Sequence, residues 1–284
     1  MPDNLPHYFL KQLEHKFCNL LELKELGGMS EASVWRATFE KRCTIIKASK
    51  DVAEYHFYKD IKPHLHIAVP YLYADFQDEH AWLAIEDLAR LLAKDQFDNY
   101  EARVTYLKQL HQTDIHLATN VSYAARWSNE MTEKALSFFI RPNEIRKRLE
   151  PFQTLAQPLF EPVCFVSADP NPNNWGFRKD STLVLFDWAR YTRAHPAIDL
   201  AIIIAGWGSK DIFEEVARIY LEGNESESNI LNLDQKIGIA KLWTLVEMLS
   251  YFFDFEVTAN PYLEKLTQAL ENLLSELDEF VLDD

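Results

Sequence analysis

The chain has 284 residues, is 48% hydrophobic and 13% aromatic, and carries a formal charge of −15 from 29 basic and 44 acidic side chains. That is ample apolar material for a buried core and excludes an intrinsically disordered chain. So acidic a surface disfavours nucleic acid and anionic lipid, and would attract a cationic ligand.

Tyr8 to Cys18 mixes apolar and charged positions at helical spacing, so a short helix is expected first. From Leu21 to Asp87 the pattern becomes strand-like, in runs at Leu21–Leu26, Ser33–Phe39, Cys43–Ala48, Tyr71–Phe76 and Ala81–Ile85. One helical stretch, Val52 to Lys62, interrupts them, with Pro63 marking its end. After Leu88 helical spacing dominates: Glu101–Leu117, Glu130–Ile140, Asn143–Phe152, Ile212–Leu221, Asp234–Phe253 and Leu263–Leu282. Two short strands, Val163–Val166 and Leu183–Phe186, are expected as a hairpin flanking a loop rich in Asp, Asn and Pro. The reading is an α+β chain of two lobes, a small antiparallel sheet over residues 1–87 and a larger, mainly helical region over 88–284.

Cys18, Cys43 and Cys164 lack the paired spacing of a disulfide framework or zinc site, which points to a reducing compartment. The opening Met-Pro-Asp-Asn-Leu-Pro has neither the basic end nor the apolar run of a signal peptide. The most apolar stretch, Leu200 to Trp207, is far short of the ~20 residues that cross a bilayer. A cytoplasmic protein without membrane or nucleic-acid partner is expected.

The chemistry concentrates in Ser167-Ala168-Asp169-Pro170-Asn171-Pro172-Asn173-Asn174, followed by Leu183-Val184-Leu185-Phe186-Asp187-Trp188. An apolar strand delivers Asp169 into a loop, Asn174 follows five positions later, and a second apolar strand ends on Asp187. Phosphoryl transfer asks for a carboxylate to orient the attacking hydroxyl and for oxygen ligands to Mg²⁺. This pattern supplies both, although Asp169 to Asn174 taken alone could equally be an ordinary turn.

In the first lobe, Gly27-Gly28-Met29-Ser30 lies between two strands, where glycine lets backbone N–H groups approach a phosphate. Lys47 stands in the apolar strand Ile45-Ile46-Lys47-Ala48, which is costly unless its ammonium meets an anion. Glu54 on the following helix is the candidate partner.

These segments resemble the aminoglycoside phosphotransferase and choline kinase superfamily, small-molecule kinases with a protein-kinase-like fold. Asp169-x-x-x-x-Asn174 and Phe186-Asp187-Trp188 are similar to its His-Gly-Asp-x-x-x-x-Asn and Ile-Asp-Trp motifs. His195-Pro196-Ala197-Ile198-Asp199-Leu200-Ala201 is similar to its Asp-Pro-x-x-Asp-Leu-Ala. The resemblance implies Asp169 as catalytic base or hydroxyl-orienting carboxylate, Asn174 and Asp187 as magnesium ligands, and Asp199 as the brace of the catalytic loop. It also implies that Gly27, Gly28 and Ser30 cover the phosphates of ATP, and that Lys47, positioned by Glu54, grips them. In Ala84-Ile85-Glu86-Asp87-Leu88, the Glu86 carbonyl and the Leu88 amide would hold adenine. His111, in Leu107-Lys108-Gln109-Leu110-His111, is read as structural. The family's His-Gly pair is Ser167-Ala168 here, which leaves room for reduced activity.

The implied activity is ATP- and Mg²⁺-dependent phosphorylation of a small hydroxylated acceptor, cationic if the acidic surface has a role in choosing it. A protein kinase is disfavoured, because only twelve positions separate Asp187 from Asp199, too few for a long activation segment. A catalytically silent nucleotide-binding or scaffold protein is the alternative from a different class. Trp127, Trp207 and Trp243 could line an aromatic cation pocket, but the core is the preferred place for them. His64 and His66 have no matching ligand cluster in the sequence.

Overall fold

The computed structural model describes residues 6–26, 33–113, 123–222, 227–255 and 261–281. Its elements divide between two compact units. One holds the described residues up to Leu92 together with Asn173–Arg190; the other holds those of 93–114, 123–172 and 191–284.

The first unit opens with helix α1 (His7–Phe17), whose Phe9, Leu10 and Leu13 are buried. Cys18 ends it at φ 65°, its amide bonded back to the Glu14 carbonyl. Strands β1 (Leu20–Leu26), β2 (Ser33–Phe39) and β3 (Cys43–Ser49) follow. Helix α2 (Ala53–His56) precedes β4 (Tyr71–Gln77) and β5 (His80–Glu86). These five strands form one antiparallel sheet in the order β1-β2-β3-β5-β4. Strand alternation places Thr44, Ile46 and Ala48 in the core. Phe9, Leu10 and Leu13 pack there with Trp35, Phe39, Ile46, Trp82 and Ala84. Lys47 points to the opposite face, the side on which α2 lies against β4 and β5.

The expected single helix over Val52–Lys62 is not uniform. After one α-turn the chain widens to a π-helical turn at Phe57–Ile61 and tightens to a 3-10 turn at Lys62–His64. Its buried aromatic residues are locked by stacking: Phe57 on Trp188, with ring centroids 4.1 Å apart, and Tyr58 on Tyr71 at 5.3 Å. Single π-turns within helical segments are found mostly in functional regions.

A short strand, β6 (Arg90–Leu91), completes the first stretch. Helices α3 (Glu101–His111), α4 (Asn129–Leu136) and α5 (Pro142–Leu155) then belong to the second unit, followed by β7 (Cys164–Val166). Helix α4 starts where the Ser128 hydroxyl accepts from the Met131 amide, and α5 starts on Pro142. Expected helix at 114–117 lies outside the described residues. Strands β8 (Trp175–Phe177) and β9 (Leu183–Leu185) pair with β6 in the first unit, in the order β6-β8-β9. Strand β10 (Thr192–Ala194) pairs with β7 in the second.

This corrects the expected hairpin: the partner of β9 is β8, while β7 takes β10. The missing partners β8 and β10, at three residues each and with Gly176 inside β8, carry too little pattern to be seen locally. Gly176 is required by close packing, since a Cβ there would lie 2.6 Å from Leu88 Cδ1 and 3.0 Å from the Arg90 carbonyl oxygen.

The second unit finishes with α6 (Ala197–Ile202), α7 (Lys210–Leu221), α8 (Glu227–Asp254) and α9 (Pro261–Val281). Helix α8 is the hub, packing on α4, α6, α7 and α9. Trp127 and Trp243 are core residues here, their indole N–H groups donating to Thr132 Oγ1 and the Arg126 carbonyl. Trp207 packs against Tyr262. Among the described residues no helix is long and apolar enough to cross a membrane.

Candidate functional site

In the first unit the sheet, α2 and the β8–β9 hairpin converge on one ammonium group. Lys47 Nζ donates to Glu54 Oε2 at 2.7 Å and to Asp187 Oδ1 at 2.9 Å. Glu54 bridges further, its Oε1 accepting from the Trp188 amide at 3.4 Å. The three side chains are not equally buried: 5% of the Glu54 side chain is exposed, 19% of Lys47 and 41% of Asp187. Glu54 is therefore the internal anchor, and Asp187 is the arm that reaches solvent.

Burial works against the charge on Lys47, but the Glu54 and Asp187 carboxylates more than offset it and hold its pKa above the ordinary lysine value. Burial likewise pushes the Glu54 carboxyl up, opposed by the Lys47 ammonium.

Asp187 has φ 63°, in the left-handed region that residues with a side chain seldom enter. It stands two residues past the end of β9, and Trp188 beyond it is fully buried, stacked on Phe57 with its Nε1 donating to the Leu185 carbonyl. The turned backbone separates an inward Trp188 from an outward Asp187. Across the hairpin, the Phe186 amide donates to the Asn174 carbonyl at 3.0 Å, and Trp175 pairs with Leu185. Asn174 and Asp187, thirteen positions apart in the chain, so lie at the same end of the hairpin. The Asn174 side chain is largely buried.

The 86–92 segment is tied to the same hairpin. The Ala89 amide donates to the Phe177 carbonyl and the Leu92 amide to that of Trp175. Glu86 accepts a two-pronged bond from Arg178, at 2.8 and 2.7 Å, and Asp87 accepts a similar one from Arg36, at 2.9 and 3.1 Å. The Glu86 amide is used by the Pro70 carbonyl. Among the described residues the Leu88 amide makes no hydrogen bond. Gly27, Gly28 and Ser30 lie outside the described residues.

The second unit holds the loop that begins with Ser167. Asp199, fully buried in the first turn of α6, accepts the Ser167 amide on Oδ2 at 2.9 Å and the Ala168 amide on Oδ1 at 2.7 Å. His111 Nε2 donates to the same Oδ2 at 3.0 Å. A carboxylate can only accept, so Nδ1 of His111 is left to pair with the Tyr220 hydroxyl, also at 3.0 Å. Ala168, where the resembled motif has glycine, takes φ 55°. The two Asp199 bonds hold that left-handed turn, and Asp169 leaves it with Oδ1 accepting from Asn171 Nδ2 at 2.9 Å. Ser167 is buried, and its hydroxyl accepts from the Asp169 amide at 3.4 Å, a side-chain turn that supports the loop from within.

The structure thus brings Lys47, Glu54 and Asp187 together, sets Asn174 beside Asp187 on the hairpin, and joins Asp199 to the amides preceding Asp169. Arg36 and Arg178 were not foreseen, because nothing local distinguishes a paired surface arginine. Lys241 and Arg103, both buried, were also missed. Lys241 carried a usable signal, since it interrupts the apolar run Ile237-Gly238-Ile239-Ala240-Lys241-Leu242-Trp243 just as Lys47 interrupts its strand. Among the described residues no cluster of three His, Cys, Asp or Glu side chains has metal-site geometry. One carboxylate and one amide on a hairpin still suit Mg²⁺, which takes its remaining ligands from substrate phosphates and water.

A small antiparallel sheet whose strand β3 carries a lysine ion-paired to a helix glutamate, followed by a mainly helical region, defines the protein-kinase-like fold. The chain belongs to the phosphotransferase enzyme family, whose sequence profile matches residues 22–231. It is similar to solved structures of an ethanolamine kinase from Plasmodium vivax (13% identity, 98% of this chain and 88% of that one, TM-score 0.69). A choline kinase from Streptococcus pneumoniae aligns at 14% identity, 96% and 99% coverage and TM-score 0.60. An ADP-bound aminoglycoside phosphotransferase aligns at 15% identity, 98% and 100% coverage and TM-score 0.56. No curated protein matches the chain.

Proposed function

We propose that this chain uses ATP and Mg²⁺ to phosphorylate a hydroxyl group on a small molecule. The observation that carries the reading is the half-buried Lys47 ammonium, paired with Glu54 inside and with Asp187 toward solvent. A structural ion pair needs one carboxylate; the second, more exposed one gives the lysine a partner that a triphosphate and its metal can share.

In this reading adenine hydrogen-bonds the Glu86 carbonyl and the Leu88 amide, which lie on the segment tied to the β8–β9 hairpin by the Ala89 and Leu92 amides. Gly27, Gly28 and Ser30 cover the phosphates. Lys47, oriented by Glu54, holds phosphate oxygens by charge. Asn174 and Asp187 would hold Mg²⁺, which when bound neutralises charge building on the transferred group. Asp169, its carboxylate rotation fixed by Asn171, accepts a hydrogen bond from the acceptor hydroxyl and aligns it for in-line attack. Asp199 keeps that loop in place through the Ser167 and Ala168 amides.

Residues 1–87 serve as the nucleotide lobe and 88–284 as the lobe with the catalytic loop and acceptor site, in the cytoplasm. The solved relatives act on choline, ethanolamine or aminoglycosides, all alcohols that carry amines. With a chain charge of −15, an amine-bearing alcohol is the acceptor class this reading favours.

The test is thermal stabilisation by ATP with and without Mg²⁺, followed by ADP release with pooled amino alcohols, amino sugars and neutral sugars. Acceptor-dependent ADP release supports the proposal. Nucleotide binding with no turnover over the whole panel would instead establish the catalytically silent reading.

A further inference from the structure

Helix α6 is only six residues long, yet its first turn carries Asp199. A helix this short has little stability of its own, because nucleation is costly and few internal bonds repay it. Its orientation must be imposed from outside.

Two buried basic side chains impose it at the carboxyl end. Lys241 Nζ, from α8, donates to the Ala201 carbonyl at 3.2 Å and to the Ile204 carbonyl at 2.7 Å. Arg103 Nη1, from α3, donates to the Ile203 carbonyl at 2.8 Å, while its Nη2 reaches the Phe97 and Asn99 carbonyls. Only 6% of Lys241 and 1% of Arg103 is exposed. Among the described residues neither contacts a carboxylate, and burial draws the Lys241 pKa down to about 7.

A buried cation without a carboxylate is a poor source of stability, and an apolar residue of similar size would serve the core better. What these two supply is direction. Three carbonyls at and just beyond the end of α6, those of Ala201, Ile203 and Ile204, are gripped by rigidly placed donors, in accord with the negative end of the helix dipole. Helix α3 holds both ends, with His111 on Asp199 and, roughly two turns earlier on the same helix, Arg103 on Ile203.

We propose that Lys241 and Arg103 are positioning residues, which fix α6 so that Asp199 keeps the Ser167 and Ala168 amides, and hence Asp169, in place. The functional part rests on the kinase reading of Asp169; the mechanical part does not.

The test is K241M, with K241R as the conservative rescue. Amide hydrogen exchange at Ser167 and Ala168 should accelerate at least ten-fold in K241M, while amides of the β2–β3–β5 sheet keep their rates. Turnover, read as acceptor-dependent ADP release, should fall about ten-fold in kcat with the nucleotide KM unchanged. K241R should restore both. Unchanged protection at Ser167 and Ala168 would overturn the proposal, as would a uniform acceleration over the whole second unit. If K241M does not fold, K241Q, which keeps an uncharged donor, is read by the same criteria. If the unsubstituted protein shows no turnover, the kinase reading fails while the exchange result still decides the mechanical one.

Discussion

Lys47 Nζ lies 2.9 Å from Oδ1 of Asp187, a residue 140 positions later in the chain. Because Lys47 also keeps Glu54 at 2.7 Å, loss of Asp187 leaves the ammonium paired. Asp187→Asn, whose side chain tolerates the left-handed backbone, should shift the unliganded melting temperature by no more than about 2 °C. Mg²⁺-dependent stabilisation by ATP should vanish, and turnover should drop by at least ~10²-fold. Near-normal turnover would remove Asp187 from the assignment.

The inner half of the pair is a different matter. Lys47→Met would leave two carboxylates facing one another, and Glu54 has almost no access to water. Breaking a buried pair from one side costs about 3–5 kcal/mol. Denaturant unfolding should show that loss for Lys47→Met, and less than the sum of the single losses for Lys47→Met with Glu54→Leu. Strict additivity in this double-mutant cycle would mean that the two side chains do not act as a unit.

Asp169→Asn keeps the shape of the loop and its Asn171 contact while removing the charge that orients a hydroxyl. Transfer should fall by about 10²–10⁴-fold, with nucleotide stabilisation of the fold retained. A parallel loss of nucleotide binding would show that Asp169 serves the phosphates instead.

Ala168 at φ 55° carries a left-handed backbone that costs a residue with a Cβ about 1–2 kcal/mol. Ala168→Gly relieves that cost but gives the unfolded chain more freedom. The net expectation is a gain of up to about 1 kcal/mol, seen as a higher denaturant midpoint at unchanged slope. A lower midpoint would show that the Ala168 methyl, which is buried, contributes more by packing than the backbone loses.

His195 gives a pH dependence with a definite sign. The Ala197 amide donates to His195 Nδ1 at 3.1 Å, so the ring caps α6 only while that nitrogen is unprotonated. Burial first, then nearby Lys236 and His111, lower its pKa from 6.5 to about 4. A depressed folded-state value means that the contribution is complete above pH 6.5 and is lost as pH falls through about 4. Over that window stability should decline by up to about 3 kcal/mol more than in His195→Asn, which caps without titrating. Equal acid slopes for the two proteins, from unfolding at pH 7 and pH 4.5, would remove His195 from the cap.

Much of this was legible along the chain, for local reasons. The five long strands and most of the helices show themselves by apolar runs and spacing; in β2 and β3 the buried positions alternate along the strand. Lys47 was visible as a charge inside an apolar strand, and Glu54 as the next helical carboxylate. Of the three-residue strands, β7 and β9 were visible as apolar runs but were assigned to each other, while β8 and β10 have no repeat to read. The π-turn at Phe57–Ile61 was equally hidden, and the ring that packs on its Phe57, Trp188, comes from more than a hundred residues away.

Sequence alone determined the order of the longer elements and the types of group that could do chemistry, because side-chain period and local charge are properties of neighbours in the chain. Tertiary structure decided which of 44 acidic residues meets the Lys47 ammonium, and which amides Asp199 holds. It also decided that Ala168 and Asp187 bend into the left-handed region. Those choices are made by burial and pairing between distant segments, where a carboxylate in one place reads like a carboxylate in any other until the fold removes the water around it.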